Sequence, residues 1–206
     1  MPTPPTTSKS LLRRAACLAT AILLITVPLD TALAHQATDV AGGLKAGLLH
    51  PLYGLDHVVA MVAVGLWGAF LGPPAIWLLP IVFPMVMAFG GALGVTGMPI
   101  PFIETGIAVS AIVLGLMVAF AVRPPLWIAA VIVGLFAIFH GHAHGTELPA
   151  AANPLAYSMG FVVSTGLLHL GGIALGLPAR WPAGRTLVRA GGALIAAVGA
   201  AFLATG

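Results

Sequence analysis

Residues Leu126 to Pro149 read LWIAAVIVGLFAIFHGHAHGTELP. The first half is uncharged and apolar, and a run of that kind predicts a membrane-spanning helix over residues 126–142. The second half puts histidines at 140, 142 and 144 and a glutamate at 147. Two questions follow: whether such an apolar helix stands alone, and what a row of imidazoles is doing at its end.

It does not stand alone. The chain has 206 residues, of which 60% are hydrophobic and 6% charged, and its mean hydropathy is +1.09. Soluble domains carry about a quarter charged residues. One helix of this kind could be the centre of a soluble protein, but several in succession would leave no polar surface for water. Apolar runs parted by Pro, Gly and occasional charges predict six spans, near residues 53–71, 75–93, 102–121, 126–142, 155–175 and 187–203. The expected fold class is an all-α polytopic membrane protein, with the lipid bilayer as its surroundings. Gly and Ala recur in almost every span, which lets helix backbones approach closely in lipid. The net charge of +3 is not gathered into a basic patch with interleaved aromatics, so no nucleic-acid partner is expected.

Residues 1–34 have the layout of a cleavable signal peptide: basic Lys9, Arg13 and Arg14, an apolar stretch from Ala15 to about Val27, and Ala32-Leu33-Ala34 as the cleavage site. An uncleaved first helix is the alternative. Cleavage would remove Cys17, the single cysteine, and leave His35 as an N-terminal residue offering amine and imidazole together as a metal chelate. With that terminus outside, Arg123, Arg180, Arg185 and Arg189 fall on the cytoplasmic side and Lys45 alone falls outside. The distribution obeys the positive-inside rule and predicts N-out, C-out topology in a bacterial inner membrane.

On that topology the ionisable residues converge. His50, Asp56 and His57 lie at the outer end of the first span, Glu104 at the outer end of the third, and His140, His142, His144 and Glu147 at the outer end of the fourth. Ionisable side chains at membrane depth are costly and tend to mark a pathway or a binding site. His50 and His57 are seven apart and would share a face of a continuous helix. His140, His144 and Glu147 stand at i, i+4 and i+7 and would also share one, with His142 turned away. Pro51, Gly54, Gly141 and Gly145 leave the regularity of both stretches open. Imidazole and carboxylate without thiolate suit Ni²⁺, Co²⁺, Fe²⁺ or Zn²⁺. His169, about 20 Å into the fifth span at 1.5 Å per residue, is either a histidine satisfied by a neighbouring helix or an inner relay. The same ligands would also serve an intramembrane metal-dependent enzyme or a metal receptor. No H-E-x-x-H, Walker A motif or soluble output domain is present, so transport rather than enzymatic activity is expected, with no organic cofactor.

Two segments, HPLYGLDHVVAMVAVGLWGA (His50–Ala69) and FHGHAHGTELP (Phe139–Pro149), resemble the signature segments of the HupE/UreJ family of hydrogenase and urease accessory membrane proteins. The pattern H-P-x-x-G-x-D-H-x-x-x-M is met by His50, Pro51, Gly54, Asp56, His57 and Met61. F-H-G-x-A-x-G-x-E is met by Phe139, His140, Gly141, Ala143, Gly145 and Glu147. The resemblance implies a permease carrying Ni²⁺ into the cytoplasm for [NiFe] hydrogenase or urease maturation proteins. It implies His50, Asp56, His57, His140 and Glu147 as the residues that carry the ion, with Glu104 added by its position and His142 and His144 as first captors.

Overall fold

The computed structural model describes residues 40–148 and 153–205. The expected signal peptide and His35 lie outside them. Among the described residues there are seven α-helices, one 3-10 turn and no strand. They are α1 (Val40–Tyr53), α2 (Leu55–Leu71), α3 (Ala75–Val95), α4 (Ile103–Ala119), α5 (Leu126–Thr146), α6 (Pro154–Gly176), the turn Leu177–Arg180, and α7 (Pro182–Thr205). Prolines stand at or just before four of the starts, Pro74, Pro125, Pro154 and Pro182. A first-turn residue has no intrahelical partner for its N–H, so proline costs nothing there. At α6 the Asn153 side chain adds a cap, accepting from the Ala156 amide at 3.0 Å.

Four helices are long and apolar enough to cross a bilayer: α3, α5, α6 with its 3-10 extension, and α7. They coincide with four of the expected spans, and α5 runs on past His142 to Thr146. The expected third span is α4, apolar but 17 residues long. The expected first span is α2, and ahead of it stands a helix that the hydropathy pattern did not announce. The pair formed by α1 and α2 bends by 84° and could make a fifth span.

The main packing pairs are α3 with α5, α4 with α7, and both α1 and α2 with α6. Trp67, Phe83, Met61, Leu79, Ile107 and Leu114 are fully buried at the centre. Trp77, Met85, Phe89, Trp127, Leu135 and Met159 face outward at more than half exposure. An apolar outer surface of that extent would aggregate in water and is what lipid solvates.

One helix crossing lies beside the histidines. A Cβ on Gly141 would overlap the Met87 carbonyl oxygen, and one on Gly145 would overlap that of Gly91. These two glycines, one turn apart, are therefore the contact row of α5 against α3. His140 and His144 form the neighbouring row, about 100° round at 3.6 residues per turn, beside that contact.

The opposite end of the bundle carries the arginines. Arg123 donates to the Phe70 carbonyl at 3.1 Å and sits 4.8 Å from the centre of the Phe70 ring. Arg189 donates to the Ala119 carbonyl at 2.7 Å. The ends of α2 and α4 and the starts of α5 and α7 thus meet on the arginine side. The end of α5 and the starts of α2 and α6 lie on the other.

Candidate metal centre

The centre begins with a broken helix. Pro51 cannot donate to the carbonyl four residues back, and Gly54 takes an extended backbone, with φ −90° and ψ 100°, between α1 and α2. The chain restarts as α2 when the Val58 amide donates to the Gly54 carbonyl at 2.9 Å. Gly54 has a second reason to be glycine. A Cβ there would stand 3.0 Å from both Asp56 Oδ1 and His57 Nδ1, which fold back over it. His50 and His57 therefore do not share a helix face, as a continuous helix would have required. They are brought to one place by the bend.

In the first turn of α2 the Asp56 carboxylate accepts from the His57 amide at 2.9 Å and is 3.0 Å from His57 Nδ1. A carboxylate is also favoured at a helix N-terminus, where amide dipoles point outward. An acceptor-only carboxylate at Nδ1 requires the proton on Nδ1, which leaves Nε2 as a lone pair. His57 Nε2 is buried and has no hydrogen-bond partner. This is the arrangement by which proteins orient a metal-ligating histidine, with the second nitrogen held by a carboxylate.

His140 is fixed in the complementary way. Its Nε2 lies 2.9 Å from Ser110 Oγ on α4, and the Ser110 hydroxyl donates its one hydrogen to the Ile107 carbonyl at 2.6 Å. Ser110 can then only accept, so His140 Nε2 carries the proton and Nδ1 is the free lone pair. His140 is completely buried and its Nδ1 has no partner. The His57 and His140 rings are 4.8 Å apart, edge to face.

From this pair the line continues outward. The His144 ring is 4.2 Å from His57 and 4.9 Å from His50. His50 Nε2 is 3.0 Å from Glu147 Oε2, and His144 Nδ1 is 3.7 Å from the same oxygen. His50, His144 and Glu147 offer three donor atoms all within 4.8 Å of one another, a spacing a single cation could bridge. Phe161 and Tyr157 of α6 wall this group, with Phe161 4.2 Å from His144 and Tyr157 5.7 Å from His50. Side-chain exposure falls along the row from 49% at Glu147 and 24% at His50 to 7% at His144, 8% at His57 and none at His140. The imidazoles of His144 and His50 hold the Glu147 carboxyl well below the usual carboxylate range. A cavity of about 450 Å³ between α3, α5 and α6 reaches the row at His144.

The remaining candidates stand elsewhere. His142 turns to the α3–α4 loop, its Nε2 2.7 Å from the Met98 carbonyl. Glu104 is exposed on the first turn of α4, outside the cluster. His169 is buried on α6 beside the Phe83 ring, which stands 5.4 Å from His140 and 5.3 Å from His169. The sequence reading overlooked Ser110, Phe83, Tyr157 and Phe161. A single serine in the middle of an apolar span was a usable signal, because a buried hydroxyl needs a partner. The aromatics were not distinguishable from ordinary core.

Comparison with known proteins gives two findings. The family model described as HupE / UreJ protein matches residues 22–202. Protein HupE of Rhizobium leguminosarum bv. viciae is 44% identical over 163 residues, covering 79% of this chain and 85% of the relative. No solved structure matches.

Proposed function

The chain belongs to the HupE/UreJ family, and from that premise we propose that it is a permease for a divalent transition-metal ion, Ni²⁺ foremost. It would move the ion from periplasm to cytoplasm for maturation of a [NiFe] hydrogenase or a urease. The observation that carries this reading is the graded row from half-exposed Glu147 to fully buried His140. A row whose donors become drier with depth suits stepwise replacement of a hydration shell. The His57 Nε2 and His140 Nδ1 lone pairs stand ready for a cation and have no partner.

The ion would arrive at Glu147 and His50, pass to His144, and reach His57 and His140, each step exchanging water for imidazole. Binding has to be firm enough to select and weak enough to release. Entry would be drawn by the membrane potential, at about 2.3 kcal/mol per charge per 100 mV. The proposed topology has a signal peptide ending at Ala34 and six spans, with α2 to α7 each crossing once. The histidine end would face the periplasm and the arginine end the cytoplasm of a bacterial inner membrane, as Arg123 and Arg189 at the far end support.

The test is metal accumulation by elemental mass spectrometry. Cells would express the wild type or Asp56→Ala at matched membrane levels and receive trace Ni²⁺, Co²⁺, Fe²⁺ and Zn²⁺. Nickel accumulation that depends on Asp56 is the expected result. Equal accumulation of every metal by both proteins overturns the reading. Metal held by the purified protein without accumulation in cells would favour a receptor.

A further inference from the structure

Beyond the row described above, α6 carries a second pair of polar side chains that nothing satisfies. Thr165 and His169 are 0% and 1% exposed. Thr165 Oγ1 and both His169 ring nitrogens are buried without a hydrogen-bond partner. They stand at i and i+4, so one lies above the other on the same side of the helix. His169 is about 22 Å along α6 from Pro154 at 1.5 Å per residue, well inside the span. A bilayer interior has no water to relieve such groups, and burying them unpaired is costly, so they call for a function.

The neighbouring helix offers a third oxygen. Pro80 and Pro84 both lie inside α3. Pro84 has no N–H to give the carbonyl four residues back, and that carbonyl belongs to Pro80. The Pro80 carbonyl neighbours the His169 ring without completing a hydrogen bond to it. Helix carbonyls released in this way coordinate ions inside membrane transporters. The Phe83 ring, one turn along α3 from Pro80, neighbours both groups, 5.4 Å from His140 and 5.3 Å from His169.

We propose that Thr165, His169 and the Pro80 carbonyl form a second, inner station for the same class of divalent transition-metal cation, beside the Phe83 ring that also neighbours His140. It deepens the transport reading and rests on it. An ion leaving His140 would exchange its last row ligands for one imidazole, one hydroxyl and one carbonyl. That is a weaker donor set, suited to release.

A thiolate placed at the station would report the ion directly. The full chain, with Cys17→Ser, would carry His169→Cys and be titrated with Co²⁺ in lipid nanodiscs. Thiolate-to-cobalt charge-transfer absorbance would be read alongside total Co²⁺ retained by equilibrium dialysis. A coordinating thiol is deprotonated by the metal, so its burial does not silence the signal. The expected result is a near-ultraviolet band for His169→Cys, and likewise for Thr165→Cys, which decides the matter where the first variant does not fold. Met159→Cys, on the exposed side of the same helix, should stay silent. Retained Co²⁺ with no band at either inner position overturns the station while leaving the row intact. So does an equally strong band at Met159→Cys. A parent protein that retains no Co²⁺ overturns station and permease together. In uptake assays Thr165→Val should slow Ni²⁺ entry by about tenfold, the lower end of what losing a metal-site partner costs, with retention by the row unchanged. Entry at the wild-type rate would also overturn the station.

Discussion

The row has an open rung and a dry rung, and they are built on opposite terms. At the open rung, His50 and Glu147 hold each other at 3.0 Å with much of both side chains exposed. Their donors are occupied by one another, and a cation arriving there has to displace a contact already made. At the dry rung, His57 and His140 do not hydrogen-bond to each other. Asp56 holds one and Ser110 the other, each by the nitrogen that a metal would not use. A site in contact with solvent can reorganise as it binds. A site without water has to be set in advance by its outer partners.

The difference is most exposed to test at Asp56. Removing the carboxylate in Asp56→Ala frees His57 to turn and to swap tautomers, and should weaken Ni²⁺ affinity about 10- to 100-fold. Equilibrium dialysis of the purified protein reads this directly. A loss below about twofold, the ordinary scatter of a surface change, would mean that the dry rung is not preset and that the two rungs are alike.

Ser110→Ala is the corresponding change at the other histidine, with a smaller expected effect because a hydroxyl positions less firmly than a carboxylate. Affinity should fall about tenfold, and the protein should lose about 1–3 kcal/mol of stability because His140 Nε2–H is left buried and unpaired. Ser110→Thr keeps the hydroxyl and should recover most of the affinity. Failure of that rescue would assign Ser110 to packing alone.

The two rungs also differ in how far they could be read from the chain. Hydropathy and proline breaks located α3, α5, α6 and α7 within a few residues, because a bilayer penalises every polar interruption. The i, i+4 spacing of His140 and His144 placed them on one side of α5, beside the glycine row at 141 and 145 that packs on α3. The open rung was harder. Pro51 and Gly54 announce a break but not an angle, and the 84° bend that carries His50 to Glu147 is set by where α1 packs on α6. A spacing rule for a continuous helix paired His50 with His57 for a reason the fold does not use. Glu104 was placed by its position at a helix start, and such a position says nothing about which way the side chain leaves the bundle. Ser110 matters only through a partner on another helix, thirty residues away.

The smallest expected effect belongs to the open rung itself. Glu147→Gln keeps the size of the side chain and removes its charge, so it should slow Ni²⁺ capture a few-fold at low ionic strength and hardly at all at high salt, where exposed charges are screened over about 10 Å or less. Acidity gives the sign a second check. The carboxyl is held below its usual range by His144 and His50, so its folded form favours the ionised state. The contact it makes is present above the ordinary carboxylate pKa, about 4.3, and is lost only as pH falls below that through the lowered value. Between pH 8 and 5 Glu147 therefore stays charged, and a decline of uptake there would not come from loss of its own charge. The coupling that lets His144 and His50 act on this carboxyl runs both ways, so Glu147→Gln should lower uptake and also move the acid limb of its pH profile to lower pH. An acid limb that stayed in place would show that the protonation limiting uptake lies away from the open rung, and that the two rungs titrate independently.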